Sequence, residues 1–451
     1  MHATVDVLDD FLNLDESIPT LDDTPLLADL VEHSRSAGTV LDRFDALFVQ
    51  HQLVDQVAMA RALVELGLPP ERITWIDVPY TSHDVTRRAL TDHVGIAADR
   101  FDVCDDFQVT RPYAAYQRRR VQAFVREWLD SDPRARRPLL VLDDGAHVLD
   151  ALAAYRIDEV DDVRIVEQTS RGFKKINARL DLALLARNVP VVDVARSWVK
   201  KRIESPFIGL SIVAALRRAL ARLGASGPNR ALVLGYGSVG TEVARFLASE
   251  YPAATVFVWD PDPAKVRTAI QAGHRAHASH GAGSGPNDLV VGCSGQASFR
   301  TSDWPLIAPG GTAALVSGSS GTVELSRRDF IELAESEPDD SIALSTDALD
   351  ERDVHADLHF DLPQDRRATF VNAGFPLNFD GRARCIPIRL IEPTMAMMVQ
   401  GALQAAGLPG GATGAVELDA GFCDRLARGF VATARADHLA LVVGATPTRR
   451  S

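Results

Sequence analysis

The sequence predicts an α/β protein of two lobes, and three observations predict it. Apolar runs of four to six residues alternate with helical stretches over most of the chain. The alternation comes in two series, the second opening after Gly227-Pro228-Asn229. Several runs end in carboxylates, amides or glycines, as parallel strands do where their carboxyl ends carry ligands. At roughly 100–200 residues per domain, a chain of 451 residues provides for two or three.

The elements follow in order. Residues 1–40 read as an acidic, partly helical lead-in, with the first twenty or so positions expected to be loosely ordered. DALFVQHQLVDQVAMARALVELG reads as a strand running into an amphipathic helix, and ITWIDVPY as a strand rich in β-branched and aromatic residues. YAAYQRRRVQAFVREWL is a long helix closed by the polar DPRARRP. PLLVLDDG, VRIVEQTSRG and VPVVDVARS repeat one arrangement, an apolar run ending in polar groups, and single out Asp143, Asp144, Glu167, Gln168 and Asp193. SPFIGLSIVAALRRALARLGA predicts a long helix with Ser205 as N-cap and Pro206 as its first residue. The second series runs ALVLGYGSVG, TEVARFLASEY, TVFVWDPDP, DLVVGCSG, TAALVSG and ATFVNAG, with HASHGAGSGPN and SEPDDS as surface loops. EPTMAMMVQGALQAAG and FCDRLARGFVATARADHLALV return to helix.

Composition narrows the function classes. Lys and Arg number 48 against 61 Asp and Glu, a formal charge of −13, so no nucleic acid and no anionic membrane is expected as a partner. Cys104, Cys293, Cys385 and Cys423 are scattered and form no CxxC, which argues against a metal site and a disulfide scaffold. They read as reduced thiols of a cytoplasmic protein. The first residues lack the basic and apolar regions of a signal peptide, and no window reaches the roughly 20 apolar residues of a membrane span.

Gly235-Tyr236-Gly237-Ser238-Val239-Gly240 is the strongest single motif. Apolar ALVL precedes it, a helical segment follows, and Asp260 lies twenty residues beyond Gly240 at the end of the next run. Glycines there permit a tight turn and let backbone N–H groups approach a pyrophosphate at a helix N-terminus. Asp260 would accept hydrogen bonds from the adenosine ribose and repel a 2′-phosphate, so the expected cofactor is NAD, held in a Rossmann-type doubly wound domain. The bland alternative is a glycine turn in a domain that binds nothing.

Further segments, taken in order from about Phe44 to Leu403, resemble the S-adenosylhomocysteine hydrolase superfamily, of which the chain reads as a divergent member. LGYGSVGTE resembles the family's cofactor turn, VEQTSRG its Glu-Glu-Thr-Thr-Thr-Gly segment, and VPVVDVARSWVKKRIES the stretch with its catalytic lysine. VLDDGAHVLDAL is similar to its Asp-Asp-Gly-Gly-Asp segment, LFVQHQLVDQVAMARALVELG to the segment opening with a catalytic histidine, and FVNAGFPL to its return strand. The resemblance implies a Rossmann NAD-binding domain, residues 201–371, inserted into an α/β substrate-binding domain formed by 41–200 and a C-terminal return over 372–451. It also implies homo-oligomers and a redox-assisted elimination. NAD⁺ withdraws hydride from the ribose 3′-hydroxyl carbon, the ketone acidifies C4′–H, the 5′-thiol leaves, water adds and the hydride returns.

Residue by residue, the resemblance implies catalytic roles for Lys200 at the 3′-hydroxyl, Asp144 at C4′ and C5′, and His51 near the leaving group. Asp55, Gln168 and Glu204 fall on substrate-binding positions; Thr169, Ser170 and Asn372 fall on positions contacting nicotinamide, its ribose and the carboxamide. Several positions depart from the family. Gln168 replaces a catalytic glutamate and cannot act as a base, Glu204 stands for an aspartate and Ser205 for an asparagine. Ser319 and Phe379 replace two histidines, and LVVGATPTRRS has no counterpart of the family's C-terminal tail. The leading expectation is cleavage or formation of a nucleoside 5′-thioether such as S-adenosylhomocysteine. The alternatives are 3′-oxidation of another nucleoside in a specialised biosynthetic route, a catalytically decayed NAD-binding regulatory protein, and a 2-hydroxy-acid dehydrogenase.

Overall fold

The computed structural model describes residues 2–37, 40–132, 134–155, 162–277, 286–319, 321–336, 342–345 and 349–443. The chain divides into two compact units, one made of Asp15–Asp105, Ala115–Glu204 and Ile386–Ser451, the other of Met1–Leu14, Asp106–Ala114 and Ser205–Cys385. Each is built on one sheet.

The first unit holds strands β1 (Asp45–Val49), β2 (Ile73–Ile76), β3 (Phe101–Asp102), β4 (Leu139–Asp143), β5 (Val163–Glu167) and β6 (Pro190–Asp193), with a last strand, Gly414–Glu417, beside β6. All seven are parallel, in the order β3-β2-β1-β4-β5-β6 and then Gly414–Glu417. The winding reverses between β1 and β4, which makes that junction the topological switch point. Leu47, Val49, Leu139, Val141, Val163, Ile165 and Val191 form one core with Val121, Val125, Val148 and Leu149 from covering helices. Helix Ile388–Gly407 crosses β4, β5 and β6. With helices over the sheet, β4 and β5 are buried at every position; β4 reads as an apolar run up to Asp143, whereas Arg164 interrupts β5. Gly401 sets how closely the crossing helix approaches, since a Cβ there would lie 2.7 Å from Val166 Cγ1.

The second unit holds β7 (Arg230–Leu234), β8 (Thr255–Trp259), β9 (Arg275–Ala276), β10 (Leu289–Gly292), β11 (Thr312–Ser317), β12 (Ala343–Leu344), β13 (Leu358–Leu362) and β14 (Arg366–Phe370). The order β9-β8-β7-β10-β11-β14 is wholly parallel and is that of a Rossmann-type doubly wound sheet, with its switch point between β7 and β10. β13 and β12 extend it antiparallel. Gln364 (φ 64°) and Asp365 (φ 55°) make the tight turn from β13 to β14, a hairpin without the Asn-Gly signal that would have betrayed it in the sequence.

Several expectations change. The lead-in is not loose. Helix His2–Leu12 packs on helix Ser205–Arg222 through fully buried Val7 and Phe11, and helix Pro25–Ala37 packs in the other unit on Ile388–Gly407. Buried Glu392 caps that second helix, accepting from Leu26 N (2.6 Å) and Leu27 N (3.1 Å). Ser205 is not an N-cap either. The helix is entered without a break through a wide π-type turn, Lys200–Glu204. Pro206 has no N–H for the ordinary ladder, and the wider turn just before it lets the helix pass through. The return to the first unit falls after Cys385 rather than at residue 372, because the intervening segment stays bonded to the second. Leu377 N donates to Ser317 O (2.9 Å) and Arg218 holds Asp380 (2.8 Å). Residues Asp106–Ala114 also belong to that unit, with Val109 N on Glu351 O (2.8 Å).

The close approach at Gly401 gives a test. Gly401→Ala is expected to lower the unfolding free energy by about 1–3 kcal/mol, read by denaturant titration, because the added methyl overpacks against Val166.

Candidate active site

Two residues past β1, His51 comes to lie against Asp144, the residue directly after β4; their strand ends, Val49 and Asp143, are register partners. His51 Nε2 is 3.2 Å from Asp144 Oδ2, and His51 Nδ1 is 2.7 Å from Thr81 Oγ1. With the ring proton on Nε2, facing the carboxylate, Nδ1 accepts from the Thr81 hydroxyl. Gln168, directly after β5, donates its Nε2 to the same Asp144 oxygen. Tyr80 lies 5.6 Å from the His51 ring, centroid to centroid. All three polar side chains are nearly closed off from solvent, at 6% for His51, 5% for Asp144 and 9% for Gln168. Burial pushes the Asp144 carboxyl upward, but the facing His51, the Gln168 amide and His147 outweigh it and bring the group down to about 2. Asp144 is therefore a carboxylate throughout the neutral range.

The neighbouring carboxylates serve the scaffold. Asp143 accepts from His147 N (3.0 Å) and Val148 N (2.8 Å), capping helix His147–Leu152. Glu167 accepts from Gly145 N (3.2 Å), Ala146 N (2.7 Å), Thr169 N (2.7 Å) and Thr169 Oγ1 (2.6 Å). Burial raises both carboxyls above their ordinary range. Asp193 is held by Arg196.

Lys200 and Glu204 form a second grouping. Within the π-type turn the ammonium sits 2.7 and 3.0 Å from the two carboxylate oxygens, both side chains largely buried. The wide turn brings residues four apart into that pairing. Asp55 opens helix Asp55–Glu65 and is buried. Ser170 is exposed at the first position of helix Ser170–Ala178. Thr169 is that helix's N-cap, accepting from Gly172 N (2.9 Å) while its own proton goes to Glu167, so its hydroxyl has no proton left for a cofactor. Thr81, Tyr80 and His147 were not visible in the sequence; only the pairing of β1 with β2 and the path of the turn after β4 bring them to the site.

In the second unit, the turn after β7 has the shape a dinucleotide requires. Gly235 has φ +100° and lies so close to Ser294 that a Cβ would be 2.7 Å from its backbone. A Cβ at Gly240 would fall 1.9 Å from Gly235 O, whereas at Gly237 nothing lies within 4 Å. The first and last glycines are required by packing and the middle one faces open space. Exposed Ser238 and half-buried Val239 start helix Ser238–Glu250, whose N-cap, Gly237, offers no side chain to block the N–H groups. Asp260 accepts from Tyr236 N (2.8 Å) and Asp262 N (2.9 Å), with Lys265 Nζ at 3.4 Å. Asn372 departs from its expected part. Its Nδ2 donates to Pro376 O (3.0 Å) and Phe379 O (2.9 Å), and its Oδ1 is 2.7 Å from His355 Nδ1. With φ 56°, buried and fully bonded, it holds the turn after β14 and has no amide to spare for a carboxamide. Ser319 lies in the loop after β11, where its carbonyl accepts from Ser317 Oγ (3.1 Å).

No protein-family model matches the chain. An uncharacterised protein of Mycobacterium tuberculosis, matched in two strains, is 29% identical over 371 residues, 81% of this chain and 65% of its own length. The chain thus spans about two thirds of the curated relatives it matches. Among solved structures, L-tryptophan dehydrogenase from Nostoc punctiforme is 15% identical at a TM-score of 0.26, over 43% of this chain and 53% of its own. The A chain of dipicolinate synthase from Bacillus subtilis is 12% identical at 0.32, over 62% and 82%. A dehydrogenase from Rhizobium meliloti is 20% identical at 0.25, over 41% and 62%. Likeness at these scores carries no argument about activity. Among the described residues no helix is long and apolar enough to cross a membrane, and no His, Cys, Asp and Glu group is placed to hold a metal ion.

The scaffold part played by Glu167 is open to measurement. Glu167→Ala leaves three backbone N–H groups, those of Gly145, Ala146 and Thr169, without their acceptor. At about 1–3 kcal/mol for each buried donor, a loss of at least about 3 kcal/mol in unfolding free energy is expected by urea titration. A loss below about 1 kcal/mol would show that Glu167 does not hold the turn.

Proposed function

We propose that the chain is an NAD-dependent enzyme of the S-adenosylhomocysteine hydrolase kind, acting on a nucleoside 5′-thioether or a close analogue. The observation that supports it best is the buried His51–Asp144 pair at the switch point of the first sheet, where an acid and a base face each other at 3.2 Å. A glycine turn whose middle position is open and whose helix N-terminus is unblocked fits a dinucleotide, with Gly235, Gly237, Ser238, Val239, Gly240 and Asp260 as the residues that would hold it. When bound, NAD supplies reversible oxidation of the ribose 3′-carbon.

The chain's own residues supply the proton transfers. Lys200 relays the 3′-hydroxyl proton toward the Glu204 carboxylate that holds its Nζ. Asp144, ionised at neutral pH, takes the C4′ proton, and the His51 Nε2–H donates a hydrogen bond to the sulfur as it leaves as a thiolate. Gln168 is an amide and cannot take up a proton; it orients Asp144, so a single carboxylate serves C4′ where the family uses two. Near-complete burial of His51, Asp144 and Gln168 keeps water from the ketone stage. The same Gln168 favours one second reading, in which 3′-oxidation is applied to a nucleoside other than S-adenosylhomocysteine. Two intact acid/base pairs, His51–Asp144 and Lys200–Glu204, favour an active enzyme over a decayed regulatory protein.

The purified chain is expected to release NAD on denaturation, and adenosine or S-adenosylhomocysteine to raise the absorbance of reduced nicotinamide. Protein that arrives empty and takes up no NAD would sink the reading. Lys200→Ala is expected to keep NAD but slow that reduction by roughly 100-fold or more. Asp144→Asn is expected to reduce the cofactor yet release no thiol, followed with a thiol reagent. Reduction by adenosine without cleavage of S-adenosylhomocysteine would select the second reading.

A further inference from the structure

The turn after β4 holds one more titratable side chain than these steps use. His147 follows Asp144 by three residues and is 5% exposed. Its backbone N–H is taken by Asp143, but its ring Nε2 is buried and has no hydrogen-bond partner among the described residues. The ring lies against Gly145, where a Cβ would come within 3.2 Å of Nε2, and Gly145 has φ +119°. Ala146, between the two, has φ 53°, a conformation rare for a residue with a side chain. Burial, followed by the nearby cations Lys175 and Arg171, drives the imidazole down to about 3, against the pull of Asp144 and Asp150. His147 is thus neutral and offers one N–H and one lone pair.

Folded proteins seldom leave a buried ring nitrogen unpaired, and here it coincides with a left-handed alanine in the turn that carries Asp144. An unmet bond and an unfavourable backbone in one five-residue turn mark a group kept for a ligand. Its neutrality sets the chemistry. An anion would meet Asp144, whereas a hydroxyl can use either the donor or the acceptor of a neutral imidazole. We propose that His147 binds a sugar hydroxyl of the nucleoside substrate beside Asp144. The proposal deepens the nucleoside reading given above and rests on it.

His147→Phe keeps the ring and removes the nitrogens, and His147→Gln keeps a donor and an acceptor. Ligand-free His147→Phe is expected to melt no lower than the wild type, since an unpartnered polar atom is exchanged for an apolar one. Calorimetric titration of the full chain with adenosine is expected to show binding weakened about three- to ten-fold in His147→Phe and partly restored in His147→Gln. Unchanged affinity, or a large drop in the melting temperature of His147→Phe, overturns the part given to His147 and leaves the nucleoside reading in place. A wild type that binds no adenosine overturns that reading, and the His147 proposal with it.

Discussion

Glu167 is a carboxylate enclosed in protein at the end of β5, and its two oxygens collect the N–H groups of Gly145, Ala146 and Thr169 together with the Thr169 hydroxyl. Through those bonds it ties the loop after β4 to the loop after β5. Asp144 and Gln168 stand on those two loops, so their mutual hydrogen bond and the approach of His51 depend on an anchor that does no chemistry itself. Gly172 shows how tight the arrangement is, since a Cβ there would lie 2.4 Å from Glu167 Cδ. Burying a carboxyl without a cation is unfavourable, and the raised Glu167 reflects it. Four donors on one side chain offset that penalty and fix the two loops that carry Asp144 and Gln168.

The two units use one plan. In both sheets the winding reverses beside the first strand of the unit, after β1 in one and β7 in the other. A parallel sheet leaves a crevice at such a reversal because the connecting helices depart to opposite faces. The crevice receives side chains in the first unit, His51 and Asp144, and bare backbone in the second, at Gly235–Gly240. Acid/base chemistry requires groups that project, while close approach to a pyrophosphate requires that nothing does.

Three residues singled out in the sequence are engaged in the scaffold. Thr169 caps a helix, Asn372 closes the turn after β14, and Ser205 lies inside a helix it was expected to begin. For Thr169 and Asn372 the residue type is right for a ligand contact, and internal partners already hold the side chain. Lys200 and Glu204 are paired within the π-type turn, which sets two side chains four residues apart against each other.

Much of this molecule is written locally. The parallel strands, the glycine turn with Asp260 after the next strand, and the alternation of two α/β series follow from runs of apolar residues and from glycines, whose constraints act within a few residues. His51, Asp144 and Lys200 stood out through the segments around them. Other features depend on contacts between residues far apart in the chain. The partnership of Thr81 with His51 comes from pairing β1 with β2, the antiparallel β13 and β12 from edge pairing, and the ordered lead-in from helices packed against residues more than 190 positions away. The unpaired His147 Nε2 is of the same kind. Sequence alone determined which groups stand at the strand ends, since covalent order places them there. Only the tertiary structure decided which were already bonded, because a hydrogen bond goes to whatever partner the packed chain brings within reach.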